Sequence, residues 1–469
     1  MTSVAPSPLV DGTAATPSGH RIPGWWWAVA SVAGAVPTLV SMLWGPSLLV
    51  DDWNFASGGR TGGFVGLMSG IDHRSRPLQA LYHATTFTVF GAHPVPHLLA
   101  LAALNGLVAA LVLLVSSTVV SRRLAVLVTA SWVVLANHGA TRLWIATGPV
   151  SVSLALLLVA AWFAFRPRPR LVAVVALTAL STLSYEGGIV VSGVLVLVAA
   201  WRGSDRTRTR VRDALAGGLT LVAVAGWVLL TTPKQLQGSA PFEPGRVLSS
   251  GVGLALLPQQ LRPWSVVVLL GVLATLATAV VPAFRREGSV VAAIGAGVLA
   301  CGAAPFVFAR FPLSTDGMLD RVNVYLALGT ALLVAGMLDQ LWRLPRPAAL
   351  ALTTTVLVVL AAANVQDVRD AHRAAVDGRV ALHALDRWID ENGALARSGP
   401  VVIAPMPNRG GWAAFGYDSV GAAHLLDRGE DLDLHDTLLA DEFARAPGIH
   451  LVLVDGSYHV LDCARSPDC

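Results

Sequence analysis

Two adjacent carboxylates directly follow the first long apolar stretch of the chain. Asp51 and Asp52 come after Ser47-Leu-Leu-Val, beyond an apolar run that ends at Trp44. One aspartate suffices to cap the first turn of a helix, so the second carboxylate needs another explanation. Ionisable groups at the edge of hydrocarbon are costly unless they pair or bind a ligand. A carboxylate in this position can remove a proton from a hydroxyl group as a general base.

Three later segments place further charged residues beside apolar runs. They are His73-Arg-Ser-Arg76-Pro77-Leu78, Ser184-Tyr-Glu186-Gly-Gly and Asp320-Arg321-Val-Asn-Val-Tyr325. Glu186 is either a ligand-binding acid or a solvated group in a turn, and Arg321 either anchors the tenth apolar run at the membrane interface or binds an anion. Arginine binds phosphate through charge-assisted bidentate hydrogen bonds. Carboxylates and arginines together at one membrane face suit the transfer of a sugar from a lipid-linked phosphate donor.

Composition places these residues in an integral membrane protein. Hydrophobic residues make up 54% of the 469 residues and charged residues only 13%, a balance outside the range of soluble domains. The net charge of +4 comes from arginines that stand in short clusters between apolar runs, as the positive-inside rule places them. Nucleic acid is therefore excluded as a partner, and the lipid bilayer is expected to surround much of the chain.

A helix needs roughly 20 residues to cross a bilayer. Eleven apolar runs reach this length, the shorter ones with the help of flanking residues. They lie at 24–44, 95–117, 124–141, 149–165, 171–184, 188–201, 214–232, 264–283, 288–308, 323–341 and 348–364. Two more apolar segments, 78–92 and 247–260, are interrupted by polar groups and suit interfacial helices. The sequence predicts an all-α polytopic membrane protein with about 11 transmembrane helices.

Arginine placement predicts the orientation and the domains. Arginine clusters fall in alternate loops, which are assigned to the cytoplasm. We predict a disordered cytoplasmic tail at 1–22, a transmembrane domain at 23–364 with an outward first loop at 45–94, and an extracytoplasmic domain at 365–469. The N-terminus is then cytoplasmic in a multi-pass protein of the cell membrane.

The last hundred residues have a different pattern and predict a small α/β domain. An amphipathic helix is expected from Asp367 to Arg397, and short buried strands at Val401-Val-Ile-Ala and His450-Leu-Val-Leu-Val. Cys463 and Cys469 fall in this outward region, where oxidation permits a disulfide between them.

Taken together, the motifs resemble the GT-C superfamily of membrane glycosyltransferases, in which an acidic pair follows the first span. More narrowly, His73-Arg-Ser-Arg76-Pro77-Leu78 and Phe90-Gly91-Ala-His93-Pro94 are similar to the first luminal loop of transmembrane O-mannosyltransferases that carry tetratricopeptide repeats, and of their bacterial relatives. The Glu186 turn is similar to that family's Lys-Glu turn, with Tyr185 in place of the lysine, and the segment from Asp320 to Tyr325 is similar to its Glu-Arg…Tyr-Leu-Pro-Ser segment. The repeats themselves are missing.

The resemblance implies an inverting sugar transfer from a dolichyl- or polyprenyl-phosphate donor on the non-cytoplasmic side. It implies that Asp51 or Asp52 is the catalytic base or an acceptor-positioning carboxylate. The remaining matched residues, Arg76, Glu186, Arg321 and Tyr325, would then bind the phosphate or the sugar of the donor. The sugar stays open, and so does the acceptor, which is a cell-envelope glycan, a glycolipid or a secreted protein.

The sequence says less about cofactors and about alternative functions than about the class of protein. The acidic pair can bind a divalent cation that neutralises the donor phosphate, so a metal requirement stays open. The histidines at 73, 83, 93 and 97 have no standard ligand spacing, which favours structural roles. No glycine-rich phosphate loop precedes a cytoplasmic helix, so no nucleotide cofactor is expected. The alternatives are a lipid-linked-sugar flippase or other transporter, which should carry ionisable residues in mid-span and repeated halves, and a non-catalytic envelope-assembly protein.

Overall fold

A computed structural model describes residues 22–70, 74–204, 206–231, 265–280, 286–308, 321–404, 412, 434–436, 448–455 and 457–461. These residues form a mostly helical protein with one small sheet near the C-terminal end. The predicted helical class is confirmed at this level. Asp72, His73, Asp320, Cys463 and Cys469 lie outside the described residues, so the predicted disulfide stays a prediction.

The helices run through the whole described chain and are numbered in order. They are α1 (Trp25–Trp44), α2 (Asp51–Met68), α3 (Pro77–Phe90), α4 (Pro94–Val119), α5 (Arg122–Val134), α6 (Ala140–Leu143), α7 (Gly148–Phe165), α8 (Leu171–Ser184), α9 (Ile189–Gly203), α10 (Thr207–Thr231), α11 (Ser265–Val280), α12 (Glu287–Phe308), α13 (Val324–Leu341) and α14 (Arg346–Ala396). Short 3-10 turns at Ile145–Thr147 and Glu186–Gly188 lead into α7 and α9.

Every predicted apolar run overlaps one of these helices, but not every helix is long enough to span a bilayer alone. Eight helices within the described ranges are long and apolar enough to cross a membrane. The helices at the other three predicted runs, α5, α8 and α11, have 13, 14 and 16 residues, below the roughly 20 that a span needs. The coarse membrane class is supported, and the count of eleven spans stays a prediction.

The outer surface of the helices is apolar, as a lipid environment requires. On α10, Leu215, Leu219, Leu229 and Leu230 are all exposed by more than half of their surface. A soluble protein rarely leaves a continuous patch of this kind uncovered. The exposed tryptophans Trp25, Trp44, Trp201 and Trp227 lie at or near helix ends, where membrane interfaces enrich this residue.

Helices α12 and α13 pack closely because glycines face each other across the pair. A Cβ atom added to Gly295 would lie 2.7 Å from the carbonyl oxygen of Gly329, and one added to Gly336 would lie 2.5 Å from that of Gly288. Such distances exclude any side chain. Small residues at helix contacts let backbones approach closely where lipid supplies no hydrophobic driving force.

The last helix is much longer than a membrane span. α14 has 51 residues, which corresponds to about 76 Å at 1.5 Å per residue, against a hydrocarbon core of about 30 Å. It runs without interruption through the predicted domain boundary at 364/365 and has non-helical backbone angles only at Asn392. The predicted amphipathic helix from Asp367 is therefore the continuation of the last apolar run, not a separate element.

A four-stranded sheet packs against the end of α14. Its strands are β1 (Val401–Ile403), β2 (Leu434–Asp436), β3 (Ile449–Val454) and β4 (Ser457–Leu461), in the order β2-β1-β3-β4. β1 is parallel to β2 and β3, and β4 is antiparallel to β3. Leu385, Trp388 and Ile389 on α14 share one buried cluster with residues of β1 and β3. The predicted strands β1 and β3 are confirmed, while β2 and β4 were not predicted.

Candidate functional site

The acidic pair opens helix α2, and its two members have different surroundings. Asp52 is completely buried, and its carboxylate accepts hydrogen bonds from the backbone N–H groups of Leu49 at 2.9 Å and Ala146 at 2.8 Å. Asp51 is only half-buried. Asp52 thus joins the start of α2 to the turn before α7, whereas Asp51 is the member with access to solvent.

Burial also changes the titration of the groups around Asp52. Desolvation raises the pKa of Asp52 well above its ordinary value, although the hydrogen bonds from Leu49 and Ala146 act in the opposite direction. The same cause raises the pKa of Tyr82 on α3 to about 12, and the charge of Asp52 adds to this shift. Burial thus disfavours the ionised form of Asp52, and the side chain has no exposed surface through which an acceptor could reach it.

The backbone immediately before the pair has an unusual conformation. Val50 has φ +41°, in the left-handed region, which is sterically costly for a β-branched residue. Val50 is also buried, among Leu49, Trp144 and residues of α14. Such strain persists only where the surrounding packing imposes it, and it is concentrated at functional sites.

Arg76 and Glu186, two of the predicted donor-binding residues, form an ion pair. The Nε and Nη2 atoms of Arg76 donate to the two carboxylate oxygens of Glu186 at 2.8 and 2.5 Å. Both side chains keep partial exposure, 20% and 30%, and the Arg76 guanidinium also lies 5.6 Å from the centre of the Tyr185 ring. The pair joins the residue before α3 to the turn before α9, so Glu186 is not an isolated solvated acid.

Arg321 lies over a tryptophan that the sequence analysis missed. Its guanidinium carbon is 4.9 Å from the centre of the Trp144 ring, and Arg321 itself is half-buried. Trp144 is only 1% exposed, and its Nε1–H donates to the carbonyl oxygen of Leu49 at 3.1 Å. Within the described part of the chain, no carboxylate forms an ion pair with Arg321.

Tyr325, also predicted to bind the donor, lies inside the helix bundle and not at the surface. It is fully buried, and its hydroxyl lies 2.5 Å from Ser153 Oγ, which in turn lies 2.9 Å from Ser181 Oγ. This network connects α7, α8 and α13 beneath the Glu186 turn. Tyr325 therefore supports that turn from below.

The predicted residues, Tyr325 excepted, form two groups, here called the site cluster: the acidic pair and Arg321, which are joined through the segment 144–146, and the Arg76–Glu186 ion pair. Ala146 contacts Asp52, and Trp144 contacts both Leu49 and Arg321. Tyr185 connects the two basic residues: burial and the charge of Glu186 raise its pKa, while the charges of Arg76 and Arg321 oppose the shift. Four segments that are far apart in sequence thus place three carboxylates and two arginines at one end of the bundle.

Two of the histidines considered as metal ligands, His83 and His97, lie against aromatic rings. His83 stacks on Phe55 with ring centres 4.0 Å apart, and His97 lies 4.4 Å from Phe87. Burial lowers the pKa of His83 to about 3, so this ring is neutral within an aromatic cluster. Among the residues with described positions, no three His, Cys, Asp or Glu side chains are grouped so that they could hold a metal ion.

The glycines that follow Glu186 allow close packing of its turn. A Cβ atom at Gly187 would lie 2.8 Å from the Phe306 ring, and one at Gly188 would lie 2.6 Å from the Tyr325 ring. Both aromatic rings belong to long helices and have little room to move. The Glu186 turn can therefore pack directly on these two rings only because positions 187 and 188 carry no side chain.

Gly188→Ala is expected to destabilise the protein by about 1–3 kcal/mol, the usual cost of overpacking. The matched control is Gly193→Ala on α9, where nothing lies within 4 Å of the added methyl group and where alanine favours the helix by about 1 kcal/mol. Thermal unfolding of both variants in the same detergent measures the difference. Equal unfolding temperatures for the two variants would contradict the packing described here.

Comparison with known proteins assigns no family to this cluster. No protein-family model matches the sequence, and no curated protein matches it at a significant level. The chemical interpretation therefore depends on the residues and their geometry.

Proposed function

We propose that the protein is a GT-C-type glycosyltransferase that moves a sugar from a polyprenyl-phosphate-linked donor to an acceptor hydroxyl. The proposal places the reaction at the outer face of the membrane, with the N-terminus in the cytoplasm. The observation that carries it is that Asp52 and Arg321 contact the same short segment, 144–146, while Tyr185 interacts with both Arg321 and the Arg76–Glu186 pair. A carboxylate, and an arginine that forms an ion pair with no described carboxylate, are the two groups that this transfer requires.

In the proposed reaction Asp51 is the general base. Its carboxylate takes the proton of the acceptor hydroxyl while the acceptor oxygen bonds to the anomeric carbon of the sugar. The bond from that carbon to the phosphate oxygen breaks, and the polyprenyl phosphate leaves with the bonding electrons. Attack opposite the leaving group inverts the anomeric centre. Asp52 serves as a positioning residue, because its two backbone hydrogen bonds fix the first turn of α2.

The arginines have different parts in this proposal. Arg321 makes no ion pair with any described carboxylate and is assigned to the departing phosphate, whose charge grows as the bond breaks. Arg76 already uses two donors on Glu186 and holds that acid in place. The remaining exposed edge of Glu186 suits hydrogen bonds from sugar hydroxyls.

The C-terminal region is proposed to form the wall of the acceptor site. Val368, Ala371 and Ala375 on α14 pack in one cluster with Leu49 and Trp144. Arg379 donates to the carbonyl oxygen of Pro46 at 3.2 Å. The extension of α14 beyond the bilayer therefore contacts the segment that carries the acidic pair, and the sheet packs on the end of that extension.

The test is a transfer assay with the purified protein in lipid nanodiscs. A panel of radiolabelled polyprenyl-phosphate sugars is offered together with an envelope extract that contains glycans, lipids and secreted proteins. We expect label to move from at least one donor to one acceptor fraction, with release of polyprenyl phosphate. Movement of labelled lipid across a proteoliposome bilayer without transfer would favour a flippase and reject this function.

A further inference from the structure

We infer that Trp144 is a positioning residue that holds Arg321 ready to bind the phosphate of the lipid-linked donor. The inference rests on the proposed function, which it deepens by naming the residue that orients the phosphate-binding group. No local sequence pattern identifies Trp144, because its partners are Leu49 and Arg321, far away along the chain.

The contact between Arg321 and Trp144 is compatible with phosphate binding by the same guanidinium. Its guanidinium is 4.9 Å from the centre of the Trp144 ring, close enough for a cation–π interaction. A guanidinium that stacks face-on over an aromatic ring keeps its N–H donors in its own plane, where they point away from the ring. A stacked arginine can therefore still make two parallel hydrogen bonds to a phosphate.

Trp144 is itself held firmly by its surroundings. Its ring is 1% exposed, its Nε1–H donates to Leu49, and its carbonyl oxygen accepts a hydrogen bond from the Thr147 hydroxyl at 2.6 Å. Leu49 and Ala146 are also the two residues whose N–H groups bind Asp52. One rigid segment thus sets the position of the phosphate-binding arginine relative to the acidic pair.

Arg76 is less suited than Arg321 to bind a phosphate. Two of its donors, Nε and Nη2, are occupied by both oxygens of Glu186, so a phosphate would have to compete with a bidentate carboxylate. Arg321 has no such competitor among the described side chains. The geometry therefore assigns phosphate binding to Arg321 and anchoring of Glu186 to Arg76.

The test measures binding of a polyprenyl phosphate, and of the matching polyprenol without phosphate, to the protein in zwitterionic nanodiscs. Variants are Trp144→Ala, Trp144→Phe, Arg321→Ala and the double variant Trp144→Ala/Arg321→Ala. The matched control is Trp162→Ala, which removes another arginine–tryptophan stack, that of Arg166 at 4.1 Å, outside the site cluster. Thermal unfolding checks that each variant is folded.

We expect Trp144→Ala to weaken phosphate binding about tenfold, which lies between the sizes of an exposed and a desolvated cation–π interaction, with a raised KM for the donor and a smaller change in kcat. Trp144→Phe, which keeps a ring face but loses the N–H group, should bind with intermediate strength. The double variant should bind no more weakly than Arg321→Ala alone, because the two residues act as one unit. Trp162→Ala should match the wild type.

The outcomes separate this inference from the proposed function. Phosphate binding that depends on Trp144 and Arg321 without any sugar transfer supports the inference and rejects the transferase. Sugar transfer with unchanged donor binding in folded Trp144→Ala or Trp144→Phe overturns the inference alone. Additive losses in the double variant, or equal binding of polyprenol and polyprenyl phosphate by the wild type, also overturn it.

Discussion

Asp51→Asn is expected to reduce sugar transfer by about 100-fold or more, the usual contribution of a general base. The substitution keeps the size of the side chain but removes the group that accepts the proton. Asp51 stands half-buried in the first turn of α2, where a negative charge stabilises the helix by only about 0.3–1 kcal/mol. The unfolding temperature should therefore change little. Single-turnover transfer with saturating donor measures the loss directly.

Two comparisons show whether the lost sugar transfer reflects the proton-transfer step. Asp213→Asn removes another partly exposed acid, one that pairs with Arg212 outside the site cluster, and should transfer sugar at the wild-type rate. Donor binding by Asp51→Asn should remain close to that of the wild type, since the base contacts the acceptor and not the phosphate. Wild-type transfer by Asp51→Asn would reject Asp51 as the base.

The helical part of the fold follows from the sequence because a bilayer leaves the backbone few choices. In hydrocarbon every N–H and C=O group must be bonded within the segment, which favours helices wherever apolar runs are long. Each of the predicted runs accordingly overlaps a helix, from α1 to α14. Helix lengths were less predictable: α5 ends at Val134, although its apolar run continues to 141, because the chain turns into the segment that carries Trp144.

The sheet was predicted in part. β1 and β3 are short runs rich in β-branched residues, whereas β2 reads Leu434-His-Asp436 and carries no strand pattern. β4 had a usable signal, since Asp455-Gly456 is the dipeptide typical of two-residue hairpin turns. Asp455 has φ +47° and the pair Val454–Ser457 closes the hairpin, as such a turn requires.

The sequence singled out individual candidate residues but not the contacts between them. The residue types of Asp51, Arg76, Glu186 and Arg321 marked them as unusual beside apolar runs. Their partners depend on packing between distant segments: the Arg76–Glu186 pair spans 110 positions and the Trp144–Leu49 hydrogen bond 95. No local periodicity carries such information, so the different surroundings of Asp51 and Asp52 emerged only from the fold.

Asp52→Ala is expected to destabilise the protein by about 2–5 kcal/mol, because it leaves two buried backbone donors, those of Leu49 and Ala146, without an acceptor. Asp52→Asn should cost less, since its carbonyl oxygen still accepts one hydrogen bond while its NH2 group faces the other donor. Transfer should fall in both variants through displacement of Asp51. Thermal unfolding in nanodiscs measures the order wild type, then Asn, then Ala.

The stability difference between wild type and Asp52→Asn should also depend on pH. Burial raises the pKa of Asp52 in the folded protein above its ordinary value, which is about 3.9. Because the pKa is higher in the folded than in the unfolded protein, the protonated carboxyl stabilises the folded state fully when the pH is below the pKa of the unfolded chain. This stabilisation is lost as the pH rises through the pKa of the folded protein. Asparagine does not titrate, so the advantage of the wild type should shrink as the pH rises from about 4 towards the raised pKa of Asp52 in the folded protein. The opposite slope, or a difference that stays constant over this range, would show that Asp52 remains ionised in the folded state and would reopen its assignment as the base.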